Sequence, residues 1–339
     1  ADKRNVIIPM RWVDTDKNDG KFDESGAPLP LLAKSRLVVV GFRDKLLGMF
    51  RRDAPTASRL AEAMLLTLAA SMGMVLSLGD VKNAYFNGQD LQREVYLEQP
   101  CGGLPGLAPG QLLRARKAIY GFAEAARLFW LALRDSLIAD GWIQSRLEPA
   151  LFFKRIGGQL KAIAITHVDD LLLARMKDML LKDLLPKVIK VFQWKWSDLP
   201  FVFRGRELSQ DSRGIMVKMT NYATSLKPVK IAPARRKLLQ DELNEAEAKE
   251  LLRVSGEIGW LARQCRMDLS FLAGELQRAR SAPCVADLVK CNLAVKEAKM
   301  GADVALVYPA CLRVHTAAVG AAVDAGHANV PEFDDVERY

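Results

Sequence analysis

The segment from Leu160 to Ala174 constrains this chain more than any other. It reads Leu-Lys-Ala-Ile-Ala-Ile-Thr-His-Val-Asp-Asp-Leu-Leu-Leu-Ala. Two apolar runs flank a pair of acids, the pattern of a β-hairpin whose tip, or near-tip, carries Asp169 and Asp170. A carboxylate embedded in apolar sequence loses hydration. Two adjacent carboxylates also repel, which raises a pKa unless a cation intervenes. A divalent metal relieves both costs. Mg²⁺ in particular prefers one or two carboxylates, retained waters and substrate phosphates, the arrangement a two-metal phosphoryl-transfer site needs.

An isolated acid pair is more often a solvated turn. A third acid at the end of another apolar strand changes that reading. Met74 to Leu78 reads as a strand delivering Asp80, within Leu78-Gly79-Asp80-Val81-Lys82-Asn83-Ala84-Tyr85-Phe86-Asn87-Gly88. Around these strands the pattern is mixed α and β. Arg11 to Asp14 reads as a strand running into a turn at Lys17 to Gly20, and Arg36 to Phe42 as a second strand rich in β-branched residues. Helical spacing covers Leu60 to Ala70, ending near Ser71 before a turn at Gly73. It also covers Ala125 to Ala139, with Leu128, Leu131 and Ile138 on one side. Beyond about residue 235 the composition shifts to helix: an acidic segment at Asp241 to Glu250, then Leu251 to Gln264 and Asp287 to Met300. A domain boundary is expected near 230.

The chain has 339 residues, enough for about two domains, and half of them are hydrophobic. That balance excludes a disordered chain. The net charge of +9 favours a polyanionic partner. Five cysteines (Cys101, Cys265, Cys284, Cys291 and Cys311) show no CxxC spacing and no even framework, as expected of reduced thiols in an intracellular compartment, cytoplasmic or nuclear. No signal peptide opens the chain, and the longest uncharged stretch, Ala63 to Gly79, is broken by Ser71, Gly73 and Ser77, so no membrane span is expected. The first residue is Ala, which fits a piece of a longer product.

These residues together resemble the reverse transcriptases of copia-type LTR retrotransposons. Asp80 to Gly88 resembles that family's D-V-K-T-A-F-L-N-G, and Glu94-Val95-Tyr96-Leu97-Glu98-Gln99-Pro100 its E-V-Y-M-E-Q-P. Lys34 to Phe42 is similar to K-A-R-L-V-A-R-G-F, Ala118-Ile119-Tyr120-Gly121 to S-L-Y-G, and His167-Val168-Asp169-Asp170 takes the place of Y-V-D-D. The five blocks keep the family's order and spacing. The likeness covers roughly residues 5–225 well and 225–310 more faintly.

The resemblance implies an α+β fold: a right-hand polymerase of fingers, palm and thumb, with an antiparallel palm sheet backed by helices. Residues 1–230 would be fingers and palm, 231–310 a helical thumb or connection, and 311–339 the truncated start of a ribonuclease H-like domain. It implies RNA-directed DNA synthesis from dNTPs on a primed RNA or DNA template, with two Mg²⁺ ions, or Mn²⁺ in their place. The integrase and ribonuclease H regions of a parent polyprotein would be partners. Asp80 and Asp169 would bind both metals, the Val81 carbonyl would add a ligand, and Asp170 would support the site. Tyr85 would lie beneath the incoming sugar and exclude a 2′-hydroxyl. Lys34 and Arg36 would hold the triphosphate, and Gly121 would let backbone approach nucleotide or template. Phe203-Arg204-Gly205 resembles the family's F-L-G, near the primer strand. Ala322 to Ala328 resembles the first strand of ribonuclease H, with Asp324 its first metal-binding acid. The chain stops at Tyr339 before the remaining acids, so no ribonuclease H activity is expected of it.

Two departures stand out. His167 replaces a Tyr and could titrate near pH 7. After Gly121, Phe122-Ala123-Glu124-Ala125-Ala126-Arg127 stands where the family has L-K-Q-A-P-R, which sets a Glu near a phosphate track. The alternative reading is therefore a catalytically decayed remnant that keeps the fold and a nucleic-acid-binding groove.

Overall fold

The acid-bearing hairpin lies within a six-stranded antiparallel sheet, and the rest of the chain is layered around that sheet. The computed structural model describes residues 7–316, apart from Phe22 and Glu24. In chain order the first half forms β1 (Ile7–Asp16), β2 (Ala33–Val39), α1 (Arg59–Ser71), β3 (Val75–Val81), β4 (Asp90–Glu98), β5 (Leu113–Lys117), α2 (Ala125–Ala139), β6 (Ile143–Gln144), β7 (Leu151–Ile156) and β8 (Gln159–His167). The second half forms β9 (Asp170–Arg175), α3 (Leu181–Leu184), α4 (Pro186–Val191), β10 (Trp194–Asp198), β11 (Phe201–Phe203), β12 (Arg206–Asp211), β13 (Gly214–Lys218), α5 (Thr220–Ser225), α6 (Glu245–Gln264), α7 (Ser270–Arg278), α8 (Val285–Met300) and β14 (Leu306–Pro309).

The central sheet has the order β10-β3-β9-β8-β7-β6. Its middle strands read as continuous apolar runs because both faces are covered. Leu172 and Ile163 turn to one face, where they join Leu65 of α1, Phe203 and Val217 of the β11–β13 layer, and Val254 and Leu288 of α6 and α8. Leu171 and Leu173 turn to the other, against Phe129 and Leu133 of α2 and Val188 of α4. Alternation is the signature of a half-solvated strand, and a strand buried on both sides loses it. The first core runs without a break from residues of α1 to residues of α8, across position 230.

A second sheet, of order β2-β1-β4-β5, carries the N-terminal strands, and its core (Ile8, Met10, Val39, Val95 and Leu97) meets Phe122, Ala125 and Leu128 at the start of α2. The third sheet has the order β11-β12-β13-β14.

Local chemistry sets the helix ends. Ser58 Oγ accepts from the Ala61 N–H at 3.1 Å and caps α1, and Gly73, at φ +63°, turns the chain into β3. The helix expected from Asp241 begins at Glu245 instead. Asn244 Oδ1 accepts from the Glu247 N–H, while the Glu247 carboxylate accepts from the Asn244 N–H, each at 3.0 Å. This capping box fixes the start, and the helix then runs unbroken to Gln264. Two further expectations are corrected. Leu128 is buried as expected, but the rest of the buried stripe of α2 is Phe129, Leu133 and Leu137, while Leu131 is half-buried and Ile138 exposed. The strand expected over Arg36 to Phe42 spans Ala33–Val39, because the Val39 N–H leaves for the Tyr120 carbonyl (2.8 Å) and Gly41 to Arg43 turns. No helix among the described residues is long and apolar enough to cross a membrane. Asp324 and the ribonuclease H-like stretch around it lie outside the described residues.

Candidate active site

Strand register brings the three acids together. β8 and β9 pair through His167 and Asp170, leaving Val168 and Asp169 as the tip of the hairpin. Val168 sits at φ +57°, a conformation that a β-branched residue adopts only where the surroundings hold it. Asp170 lies directly opposite Asp80 across the β3–β9 pair, and the Val81 N–H donates to the Asp169 carbonyl at 3.1 Å. β10 closes the other side of β3, with Lys195 opposite Asp80. Residues directly opposite on antiparallel strands project from the same face. One row therefore crosses the sheet: Lys195, Asp80, Asp170 and His167, with Asp169 just beyond its end on the hairpin tip.

The electrostatics follow from that row. Partial burial pushes the Asp170 carboxyl up to about 6, with the charges of Asp169 and Asp80 adding to the rise. Three acids crowd together at this end of the sheet. Among the described residues no three acidic, His or Cys side chains close into a ready-made ligand cluster. The donor set nonetheless suits a hard divalent ion that takes few protein oxygens and keeps waters and phosphates: exposed Asp80, half-buried Asp169, and the Val81 carbonyl beside them.

His167 behaves differently from the expectation of titration near pH 7. Its burial, then the Arg204 charge, push its pKa below the ordinary imidazole value, with Asp169 opposing, so the ring is neutral at pH 7. Its ring meets Phe203 edge-on, centroids 6.2 Å apart. Phe203 and Arg204 reach this position through the β11–β12 turn. Arg204, at φ +51°, donates to the Ala57 carbonyl (3.1 Å) and to Glu62 (3.3 Å). Glu62, on α1, is 1 % exposed and is also paired with Arg206.

Tyr85 stands in the short turn Ala84–Asn87 that follows Asn83 at φ +55°. Its hydroxyl pKa is raised, first by burial and then by the Asp169 charge, which places the ring beside the acids. Its ring packs edge-on against Tyr120 at 5.0 Å, and the Arg36 guanidinium lies over Tyr120 at 5.8 Å. Arg36 thus connects to the acids through two aromatic rings. Lys34, two residues earlier on β2, lies on the same face as Arg36 and has no side-chain partner among the described residues. Gly121 (φ +95°) is pressed onto β2: a Cβ there would come within 1.9 Å of the Val39 carbonyl.

Glu124 does not face solvent. It is 5 % exposed and is held by Arg93, whose Nε donates to it at 2.8 Å and which also pairs with Asp44. The altered stretch after Gly121 is a packed joint between the β4 strand and α2, in which Glu124 and Asp44 share the Arg93 guanidinium. A groove of about 970 Å³, lined by Lys82, Phe86, Val191, Trp194 and Trp196, opens on the face opposite the acids and contains none of them.

Sequence reasoning missed Tyr120, although it lies inside a recognised block, and missed Lys195, Glu62 and Arg206. Lys195 left one trace, the Trp-Lys-Trp alternation that turns it away from its neighbours.

Comparison with known proteins identifies relatives of the chain. Residues 2–233 match the family model for reverse transcriptase (RNA-dependent DNA polymerase). The chain is 26 % identical over 292 residues to the retrovirus-related Pol polyprotein from transposon RE2 of Arabidopsis thaliana, and 25 % identical over 292 residues to that from transposon RE1 of the same plant. Each alignment covers 82 % of this chain and 19 % of the relative. It is 28 % identical over 189 residues to the retrovirus-related Pol polyprotein from transposon TNT 1-94 of Nicotiana tabacum, covering 56 % of this chain and 14 % of that protein. The chain spans about a fifth of the length of the two Arabidopsis relatives.

Proposed function

The chain belongs to the reverse transcriptase (RNA-dependent DNA polymerase) family, and on that premise we propose that it extends a primer with dNTPs on an RNA or DNA template, using Asp80, Asp169 and Asp170. The observation that supports this best is the cross-strand row. It sets Asp80 opposite Asp170 at the end of β3 and β9, two strands whose central residues are largely buried, with Asp169 on the adjoining tip.

In this reading Asp80, Asp169 and the Val81 carbonyl hold Mg²⁺, for which Mn²⁺ can substitute, and Asp170 supports them. The metal supplies activation of the primer 3′ hydroxyl and neutralisation of the leaving charge. Tyr85 forms the floor beneath the sugar, and its packing on Tyr120 keeps the ring from yielding to a 2′-hydroxyl. Arg36 and Lys34 take the triphosphate. The β11–β12 turn at Arg204 and Gly205 faces the primer strand. The fold then divides into fingers around β1, β2, β4 and β5, a palm on the central sheet, and a helical thumb in α6–α8, with residues 1–230 as fingers and palm and 231–310 as the thumb region. The ribonuclease H and integrase parts of a longer polyprotein are the expected companions.

Primer extension tests the proposal. The parent chain is expected to incorporate dNTPs only with a divalent metal, and Asp169→Asn to lose incorporation by at least about a thousandfold, the scale of removing a group on which transition-state charge depends. Salt-sensitive nucleic-acid binding without any incorporation would instead favour the decayed remnant.

A further inference from the structure

We propose that the groove on the face opposite the acids is a second nucleic-acid site, which takes a single strand with a base stacked on Trp196 and its phosphates against Lys82 and Lys190. The inference goes beyond the polymerase reading and uses none of its residues. It starts from β10, the edge strand of its sheet, where Trp194 and Trp196, two residues apart, stand on one face. Large apolar rings on a strand that borders solvent mark a contact surface. The neighbouring strand β3 is shaped to seat them. A Cβ on Gly79 would come within 3 Å of both rings, so glycine there is what lets the indoles lie over the strand.

The two rings are held differently. Trp194 is anchored: its Nε1 donates to the Val188 carbonyl at 3.2 Å, and its ring meets Phe192 edge-on with centroids 6.2 Å apart. Trp196 stacks on Trp194 at 5.2 Å and 25°, is half-buried, and its Nε1 makes no hydrogen bond among the described residues. The rim of the groove is cationic. Lys82 and Lys190 are exposed, and neither ammonium has a hydrogen bond or ion pair among the described residues. The Lys82 N–H donates to the Gln193 carbonyl at 2.9 Å, which ties the chain after β3 to the chain before β10. The Gln193 side-chain amide is also unbonded, and no acid among the described residues lines this groove of about 970 Å³. Uncommitted cations, amide and indole N–H beside a stacked aromatic shelf match a ligand that alternates phosphates with flat bases. A string of acidic side chains would satisfy the lysines and leave the shelf uncovered. Stacking on an aromatic ring accepts any sequence, because every base has a π-face. Since groove and acids lie on opposite faces of the sheet, a strand held here leaves the acids open to a primer–template duplex.

The test is fluorescence anisotropy of a labelled single-stranded DNA of about eight nucleotides, within the span that such sites cover, with and without a saturating unlabelled blunt duplex. The parent is expected to bind the strand with nearly the same affinity in both conditions. Trp196→Ala should weaken that binding roughly tenfold, the scale of one lost stack, and Trp196→Phe should recover most of it. Lys82→Ala and Lys190→Ala should each lower the slope of log affinity against log salt by about 0.7, the single-strand value for one phosphate. Duplex affinity should be equal in all variants; where Trp196→Ala weakens it in parallel, through loss of fold, the lysine variants decide. Displacement of the strand by the duplex overturns the proposal, because it places the strand at the acids. Parent-like binding by Trp196→Ala overturns it, as does an unchanged salt slope in both lysine variants. Polyglutamate displacing the label as well as unlabelled strand does overturns it in favour of an acidic protein partner, and dTMP doing so overturns it in favour of a mononucleotide pocket.

Discussion

Replacing Asp170 by Asn should stabilise the metal-free protein, and by an amount that depends on pH. Asp170 in the folded chain titrates at about 6, against 3.8 for an ordinary aspartate, because of burial and the neighbouring Asp169 and Asp80. A folded pKa above the unfolded one means that the native state holds the proton more tightly. The associated stability is complete below about pH 4 and is lost as the pH rises through 6. The gap of about two units corresponds to ~3 kcal/mol at ~1.4 kcal/mol per unit. Asp170 is only half-buried, so screening by solvent reduces this to roughly 1–1.5 kcal/mol. Asn carries no charge at any pH and keeps the shape. In EDTA at pH 7.5 the Asn variant should therefore melt about 2–4 °C above the parent. The difference should shrink through pH 6 and vanish near pH 4. Millimolar Mg²⁺ should raise the parent more than the variant, since the cation relieves the same repulsion that Asn removes. A difference that stays constant across pH would mean a packing effect, and no difference at pH 7.5 would mean that neither burial nor the neighbouring carboxylates disfavour the Asp170 charge; either refutes the electrostatic account of the site.

Other substitutions probe what holds the site in place. Gly121→Ala should destabilise the fold by about 3 kcal/mol or more, because the new methyl meets the Val39 carbonyl at 1.9 Å on a backbone at φ +95°; urea denaturation measures this, and a loss under 1 kcal/mol would contradict the close approach. Glu62→Ala should cost roughly 3–5 kcal/mol by leaving Arg206 buried and unpaired, whereas replacing both Glu62 and Arg206 by Ile should come within about 1 kcal/mol of the parent; the two denaturation midpoints settle the matter together. Tyr85→Ala should narrow discrimination against ribonucleotides by at least about tenfold, read as the ratio of kcat/KM for dNTP and rNTP, and an unchanged ratio would remove Tyr85 from sugar selection.

The acid hairpin, α1 and the start of β3 were legible in the sequence because their signals are local: an apolar run, a capping serine, a glycine at a turn. What stayed hidden depends on partners far along the chain. Glu124 reads as a negative charge set against a phosphate track, and only Arg93 of β4, brought alongside by the second sheet, makes it a buried, ion-paired joint. His167 reads as a group poised to titrate near pH 7. Phe203 and Arg204 arrive from the β11–β12 turn and hold it neutral.

Glu62 is the most instructive of these residues. Its spacing to Leu65, Leu66 and Ala69 places it on the buried side of α1, while its charge argues for solvent. A carboxylate on an apolar helix face cannot stay unpaired without a large desolvation cost. The contradiction itself therefore demands a cation from another element, and only a residue with the matching contradiction can supply it. Arg206 is such a residue, a guanidinium in a strand between Phe203 and Leu208, both of which are buried. Pairing them secures the β11–β12 turn to α1, which in turn sets Phe203 against His167 beside the acids. The charge that looks misplaced in each segment is the tie that positions the site.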